Sequence, residues 1–314
     1  MCLALLGAAA LCLTGPTILR AQDDIIRIDV NLVNILASVR GKNGALIGNL
    51  TQSDFHLFED GKEQVIKAFA RDTDLPLTIG LLIDTSRSQM RLVETEQRAA
   101  SQFFTQVLRQ KDMAFLMQFG TEAELLQDST NSPRILQKAL NDLHLSVPQG
   151  GLQPGPVPTA QSQAGTVLYD AVYLAATEKL RREVGRKAII LITDGVDTGS
   201  KISRDKAIEY AQKADAIIYS IYYADYAMFG GGGEGELRRM SQETGGQVFH
   251  VDKNHSLDEI FRQIQEEMRS QYSLTYQSPA AERNGAYHKI DIKMTNKDLR
   301  VQARKGYYAI DPEK

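Results

Sequence analysis

The chain has 314 residues, 43% of them apolar and 24% charged, with a formal net charge of −3. That is globular composition, sufficient for one large domain or two smaller ones, and it excludes a disordered or fibrous chain. The near-even charge gives no global attraction to nucleic acid or anionic membrane, and the densest basic stretch, Arg181 to Lys187, falls at an expected helix end, where cations suit the helix dipole as a solvated terminus.

The first segment, MCLALLGAAALCLTGP, carries both cysteines, Cys2 and Cys12, around an apolar run from Leu3 to Leu13. This run has the length of a signal-peptide core and is short for a membrane span. With the small Ala21 before the polar QDD, residues 1–21 read as a signal peptide, with a short membrane anchor as the alternative. Export to the periplasm or the exterior follows from the first reading. The mature chain would then hold no cysteine and no stable membrane span, and its core would rest on packing alone.

Residues 25–75 alternate with period two. IRIDVNLVNILASVR reads as a strand, GKNGALIGNL as a Gly/Asn-rich turn, and DFHLFEDGKEQVIKAF as a hairpin turning at Asp60-Gly61. From about residue 76 to 270 the pattern becomes strand, helix, strand, helix. LTIGLLI, MAFLMQF, KAIILIT, AIIYSIYYA and QVFHV read as strands, with AELLQDS as a short partner after the second. Between and after them VETEQRAASQFFTQVLRQ, SPRILQKALNDL, TVLYDAVYLAATEKL, RDKAIEYAQKA, GELRRMSQETG and SLDEIFRQIQEEMRS read as helices, the last opened by a capping box of Ser256 and Glu259. Near-continuous apolar strands between amphipathic helices imply an α/β fold, a doubly wound and mainly parallel sheet with helices on both faces. In residues 271–311 period two returns in YSLTYQS, YHKIDIKM and LRVQARKGYYA. The two β segments either complete one β-sandwich, with the α/β region inserted between its halves, or form two small units. About 50 residues rarely build a core unaided, which favours the sandwich.

In an open parallel sheet, ligands bind beyond the carboxyl ends of the strands. LTIGLLI ends in Asp84-Thr85-Ser86-Arg87-Ser88, KAIILI ends in Thr193-Asp194-Gly195, and the long loop Ser146 to Gly165 delivers Thr166 to the start of a helix. AIIYSIYYA ends in Asp225 and a glycine-rich loop to Glu236. Each piece has a plainer role: Thr166 as a helix N-cap, Asp194-Gly195 as a turn, Asp225 as a turn cap. Together they bring carboxylates and hydroxyls to one rim, an all-oxygen set suited to Mg²⁺, Mn²⁺ or Ca²⁺ over Zn²⁺.

The ordered set Asp84, Ser86, Ser88, then Thr166 in GTVLYDA, then Asp194 in TDG resembles the metal-ion-dependent adhesion site (MIDAS) of von Willebrand factor type A (VWA) domains. SDFHLFEDGKEQVI and ARKGYYA are similar to a bacterial, largely acidobacterial, group of secreted VWA-related proteins. The resemblance implies that Ser86, Ser88 and Thr166 bind metal directly, and that Asp84 and Asp194 often act through water. It also implies that an open coordination position takes a Glu or Asp carboxylate of a partner protein. Arg87 stands where bacterial members commonly have Gly. Arg87 and Asp225 are the candidate partner contacts.

An enzyme is not expected. A dehalogenase-type phosphatase wants a second Asp where Ser86 stands, and the chain has no G-x-S-x-G, P-loop or H-E-x-x-H motif. Its five histidines are scattered and supply no evident general base. The expected function is a divalent-cation-dependent, adhesion-type protein-binding module. A structural or assembly component of the cell envelope with an incidental metal site is the alternative, and a metal-assisted hydrolase comes last.

Overall fold

A computed structural model describes residues 31–71, 75–145, 165–223, 232–279 and 284–309. The expected signal peptide, Asp225, and most of both long loops lie outside the described residues. Among the described residues no helix is long and apolar enough to cross a membrane.

The α/β region forms a six-stranded sheet of β5 (Leu77–Asp84), β6 (Met113–Phe119), β7 (Ala123–Thr130), β8 (Arg186–Thr193), β9 (Ala216–Tyr222) and β10 (Val248–His250). Its order is β10-β9-β8-β5-β6-β7, parallel except for the antiparallel edge strand β7. β5, β8 and β9 are buried at every position, the reason their sequences run apolar without alternation. Successive side chains feed opposite faces: Ile79, Leu81 and Ile83 meet helices α1 (Val93–Val107), α2 (Pro133–Leu140) and α6 (Leu257–Arg269). Leu82, Ile189 and Leu191 meet α3 (Leu168–Leu174), α4 (Arg204–Lys213) and α5 (Glu234–Thr244). α3 runs on as a π-helical turn over Ala175–Leu180. Ser256 Oγ accepts from Glu259 N at 3.3 Å, half of the expected capping box, while the Glu259 carboxylate engages Arg262 and Gln263.

The flanking strands form two four-stranded sheets. From the first half of the chain come β1 (Leu32–Arg40), β2 (Phe55–Glu59), β3 (Lys62–Gln64) and β4 (Ile66–Arg71); from the second, β11 (Tyr272–Gln277), β12 (Tyr287–Met294), β13 (Arg300–Ala303) and β14 (Gly306–Tyr308). One sheet runs β13-β1-β11-β4 and the other β14-β12-β2-β3, so each mixes strands from both ends. Ile35 and Leu274 of the first sheet and Leu57 and Ile290 of the second share one apolar core, which makes the pair a single sandwich. β2 and β3 turn at Asp60 (φ 48°) and Gly61 (φ 80°), two successive left-handed residues as a tight hairpin demands. β1 pairs with β11 and β13 rather than with its sequence neighbour β2.

Two expectations need correcting. LRVQARKGYYA is not one strand: it breaks at Arg304-Lys305, where the chain passes from the first sheet to the second. The basic stretch Arg181 to Lys187 is not wholly a solvated helix terminus, because Arg186 and Lys187 already belong to β8 and are buried. A short connection from the preceding helix leaves too little chain to keep them outside.

Glu267 of α6 joins sandwich to α/β body. Fully buried, its carboxylate accepts from Arg40 Nη2 at 2.5 Å, Gln302 Nε2 at 3.0 Å and Gln247 Nε2 at 3.0 Å. Inside the body, Gly80 of β5 makes room for a neighbour: a Cβ there would stand 2.3 Å from the ring of the fully buried Phe115. Gly80→Ala should therefore destabilise the chain by about 1–3 kcal/mol through overpacking, read as a lowered denaturant midpoint at unchanged slope.

Candidate metal centre

Asp84 closes β5 with no exposed surface. Its Oδ1 accepts from Ser86 N at 2.9 Å and its Oδ2 from Thr193 Oγ1 at 2.5 Å, so one carboxyl pins the loop after β5 to the end of β8. The chain then makes a 3-10 turn over Arg87–Gln89, which turns Ser86 Oγ and Ser88 Oγ to within 3.0 Å of each other and leaves Arg87 exposed. Gln89 Nε2 donates to Tyr223 O at 3.1 Å, anchoring the turn to the chain beyond β9.

Thr166 arrives by a different route. Thr85 N donates to Phe119 O at 2.7 Å and Val167 N to Gly120 O at 2.9 Å, so the segments bearing Ser86 and Thr166 hang from consecutive carbonyls at the end of β6. The loop after β8 closes the ring, since Thr198 N and Gly199 N both donate to Thr166 O, at 3.0 and 3.1 Å. Thr166 does not cap α3: the cap position is Val167, and the first helical amides of Tyr169 and Asp170 donate to Ser200 Oγ. Asp194 does serve a turn, its Oδ1 accepting from Val196 N at 3.0 Å. Gly195 follows at φ 76°, where a Cβ would meet Gly233 O at 2.5 Å, so the start of α5 lies directly against this turn. The structure thus brings Asp84, Ser86, Ser88, Thr166 and Asp194 onto one rim.

Residues 78–263 match the model of the von Willebrand factor type A domain. The chain belongs to this family. Solved structures similar to this VWA chain include an aerotolerance-related membrane protein from Bacteroides fragilis, at 16% identity over 61% of this chain and 98% of that one, TM-score 0.45. Proximal thread matrix protein 1 from the mussel byssus, in a form with a zinc-occupied MIDAS motif, is 16% identical over 67% of this chain and 50% of that one, TM-score 0.47. A minor pilin from Streptococcus sanguinis is 14% identical over 62% of each chain, TM-score 0.42. Among curated proteins none matches.

The charge at the VWA rim is one-sided. Burial pushes the Asp84 carboxyl up to about 7, with the charge of Asp194 adding to the rise and the bonds from Ser86 and Thr193 opposing it. Behind it stands Glu96 of α1, fully buried, both carboxylate oxygens without a hydrogen bond. Burial first, and then the charge of Asp84, hold Glu96 well above the usual carboxylate range. Among the described residues no Lys or Arg is ion-paired with Asp84, Glu96 or Asp194, so the site holds buried acid and hydroxyl with no protein cation to meet them. A divalent cation fits this donor set: hard oxygen ligands, and a buried carboxyl whose ionised form a nearby positive charge would favour.

Sequence reading missed Glu96, although its place was legible. Glu96, Ala99, Ala100, Phe103, Phe104 and Val107 form one buried stripe of α1, and an acid on that stripe is the anomaly. The histidines are scattered, as the sequence reading had them, and His288 sits with Glu59 and Asp60 on the sandwich, its Nδ1 2.9 Å from Asp60 Oδ2 and 3.4 Å from Glu59 Oε1. Glu59 is satisfied by the hydroxyls of Tyr276 at 2.6 Å and Ser278 at 2.8 Å, so this cluster serves as a lock between strands.

A carboxyl whose pKa is raised by folding stabilises the fold below its unfolded value and loses that contribution as pH climbs through the folded value. For Asp84 the window runs from 3.8 to about 7. The metal-free chain should lose up to roughly 4 kcal/mol from Asp84 across that window, with the raised Glu96 carboxyl adding a loss of the same sign. Denaturant titrations at pH 5 and pH 8 check the slope, and Asp84→Asn should flatten it.

Proposed function

We propose that the chain is a divalent-cation-dependent protein-binding module. In this reading Ser86, Ser88 and Thr166 offer hydroxyls to Mg²⁺, Mn²⁺ or Ca²⁺, and Asp84 and Asp194 supply the balancing charge. The bound ion supplies a Lewis-acidic position at the rim for a carboxylate of a partner protein. The observation that supports the reading is that Asp84, the Ser86 and Ser88 hydroxyls, and the segments carrying Thr166 and Asp194 meet on one rim, where no Lys or Arg of the described residues is ion-paired with the acids. Arg87, exposed on the 3-10 turn, is placed to meet acidic groups flanking the partner's carboxylate.

Binding rather than catalysis is proposed because the groups at the rim are hydroxyls and engaged carboxylates. Each of the five histidines contacts a carboxylate other than Asp84, Glu96 and Asp194: His56 with Glu63, His144 with Glu124, His250 with Glu234, His255 with Asp252 and His288 with Asp60. Export, read from Leu3 to Leu13 and Ala21, belongs to the same proposal, since an adhesion-type module works outside the cytoplasm.

Titration calorimetry with Mg²⁺ and Mn²⁺ tests the ion. Wild type should bind, Asp84→Ala should not, and Thr166→Ala should bind at least ~10-fold more weakly. Equal binding by Asp84→Ala would remove the ion from this rim. A second arm titrates a Glu-containing peptide with and without Mg²⁺, and binding is expected only with the ion.

A further inference from the structure

A second feature lies at the opposite edge of the sheet, where the amino ends of β8 and β9 face β1 and β14. A cavity of ≈ 500 Å³ opens there between the α/β body and the sandwich. That size accommodates a small metabolite. Its walls are apolar at Leu32, Val33 and Leu36 and aromatic at Tyr307 and Tyr308.

The charges on the cavity are strongly unequal. Arg181, Arg186, Lys187, Lys213 and Arg304 line it against a single acid, Asp215. Asp215 is taken by Arg304, whose Nη2 also donates to Asn34 O at 2.8 Å. Lys213 is held by Glu209 at 2.6 Å, and Arg186 donates to the carbonyls of Met268 and Leu75. Arg181 is exposed, and Lys187 differs from all four. It sits in a central strand, 8% exposed, with its side chain on the cavity and no hydrogen-bond or ion-pair partner among the described residues.

The Lys187 stem is buried while its ammonium reaches the cavity, so the charge is partly stripped of water with no direct ion pair among the described residues, beside a strand that is wholly apolar from Ala188 to Leu191. Leu or Met at position 187 would continue that pattern. Burial draws the Lys187 ammonium below its usual range, and Asp215 and Glu183 oppose this only in part. Among the described residues no direct ion pair offsets the partial desolvation of this cation.

We propose that the cavity is a binding site for a small organic anion, a carboxylate or a phosphate ester of metabolite size, with its charge on Lys187 and its apolar part on Leu32, Val33 and Leu36. Arg304 and Lys213 shape the field around it without supplying the anchor, because their charges are already met. The site lies across the sheet from the acidic rim and needs no metal.

The test is titration calorimetry of the full chain in metal-free, low-salt buffer, with inorganic phosphate and with succinate as separate probes. Wild type should bind at least one of them, and the stronger heat assigns the anion to the phosphate or the carboxylate class. Lys187→Met should weaken that binding at least tenfold, whereas Lys253→Met, which removes an equal charge from an exposed position, should leave it as in wild type. Without anion, Lys187→Met should unfold at the same temperature as wild type or higher, which separates lost binding from lost folding. Lys187→Gln repeats the comparison with a polar replacement. Absence of binding by wild type to both probes, or unchanged binding in a folded Lys187 variant, overturns the proposal.

Discussion

The molecule turns on a carboxyl sunk at the end of its central strand. Asp84 cannot be hydrated, and the protein answers it with a backbone amide and one hydroxyl, not with a cation. The surrounding structure holds that group in place. The loop after β5 is drawn under it, β8 is tied to it through Thr193, and the segments carrying Ser86 and Thr166 hang from adjacent carbonyls of β6. The buried acid that should make the metal-free fold sensitive to pH is, in the proposed function, also the charge that a divalent ion would answer. On that proposal stability and binding draw on one unfavourable charge, in opposite senses.

Most of the α/β body was legible because burial on two faces writes a continuous apolar run, as in LTIGLLI, and because helix stripes keep their period. The rim was legible for a topological reason: residues just past the carboxyl ends of parallel strands must lie on one edge, so Asp84 and Asp194 could be placed together without any contact being known. The sandwich was legible as one unit from the size of its two halves, but not in its pairing, since period two says nothing about which strand pairs with which across the inserted body. The break at Arg304-Lys305 is invisible to periodicity, because both halves continue a plausible strand. Glu96 and Lys187 escape for a shared reason: the charged residues near each in sequence suggest a surface, although each sits within a buried element.

The body and the sandwich keep separate apolar cores, with Leu36 of β1 packing against the body's, and polar contacts join them. Glu267 gathers Arg40, Gln247 and Gln302, and Arg304 reaches both Asp215 and the carbonyl of Asn34. Such contacts set geometry more strictly than apolar packing, because each buried donor and acceptor has few alternative partners. This joint also holds open the cationic cavity, whose walls come from both parts.

The interleaving of the two chain ends also bears on the order in which the protein assembles. Asn34 of β1 meets Ser273 of β11 across 239 residues of sequence, so β1 has no β11 to pair with until almost the whole chain exists. Closing so long a loop in an unfolded chain is slow, and an unpaired apolar strand such as β1 is exposed to wrong partners while it waits. The α/β body relieves this. It is one continuous stretch of chain, and once folded it carries β4 and β11 at its two ends, shortening the effective loop to the span of a compact body. The insert that bears the rim is thus also the template on which the sandwich closes.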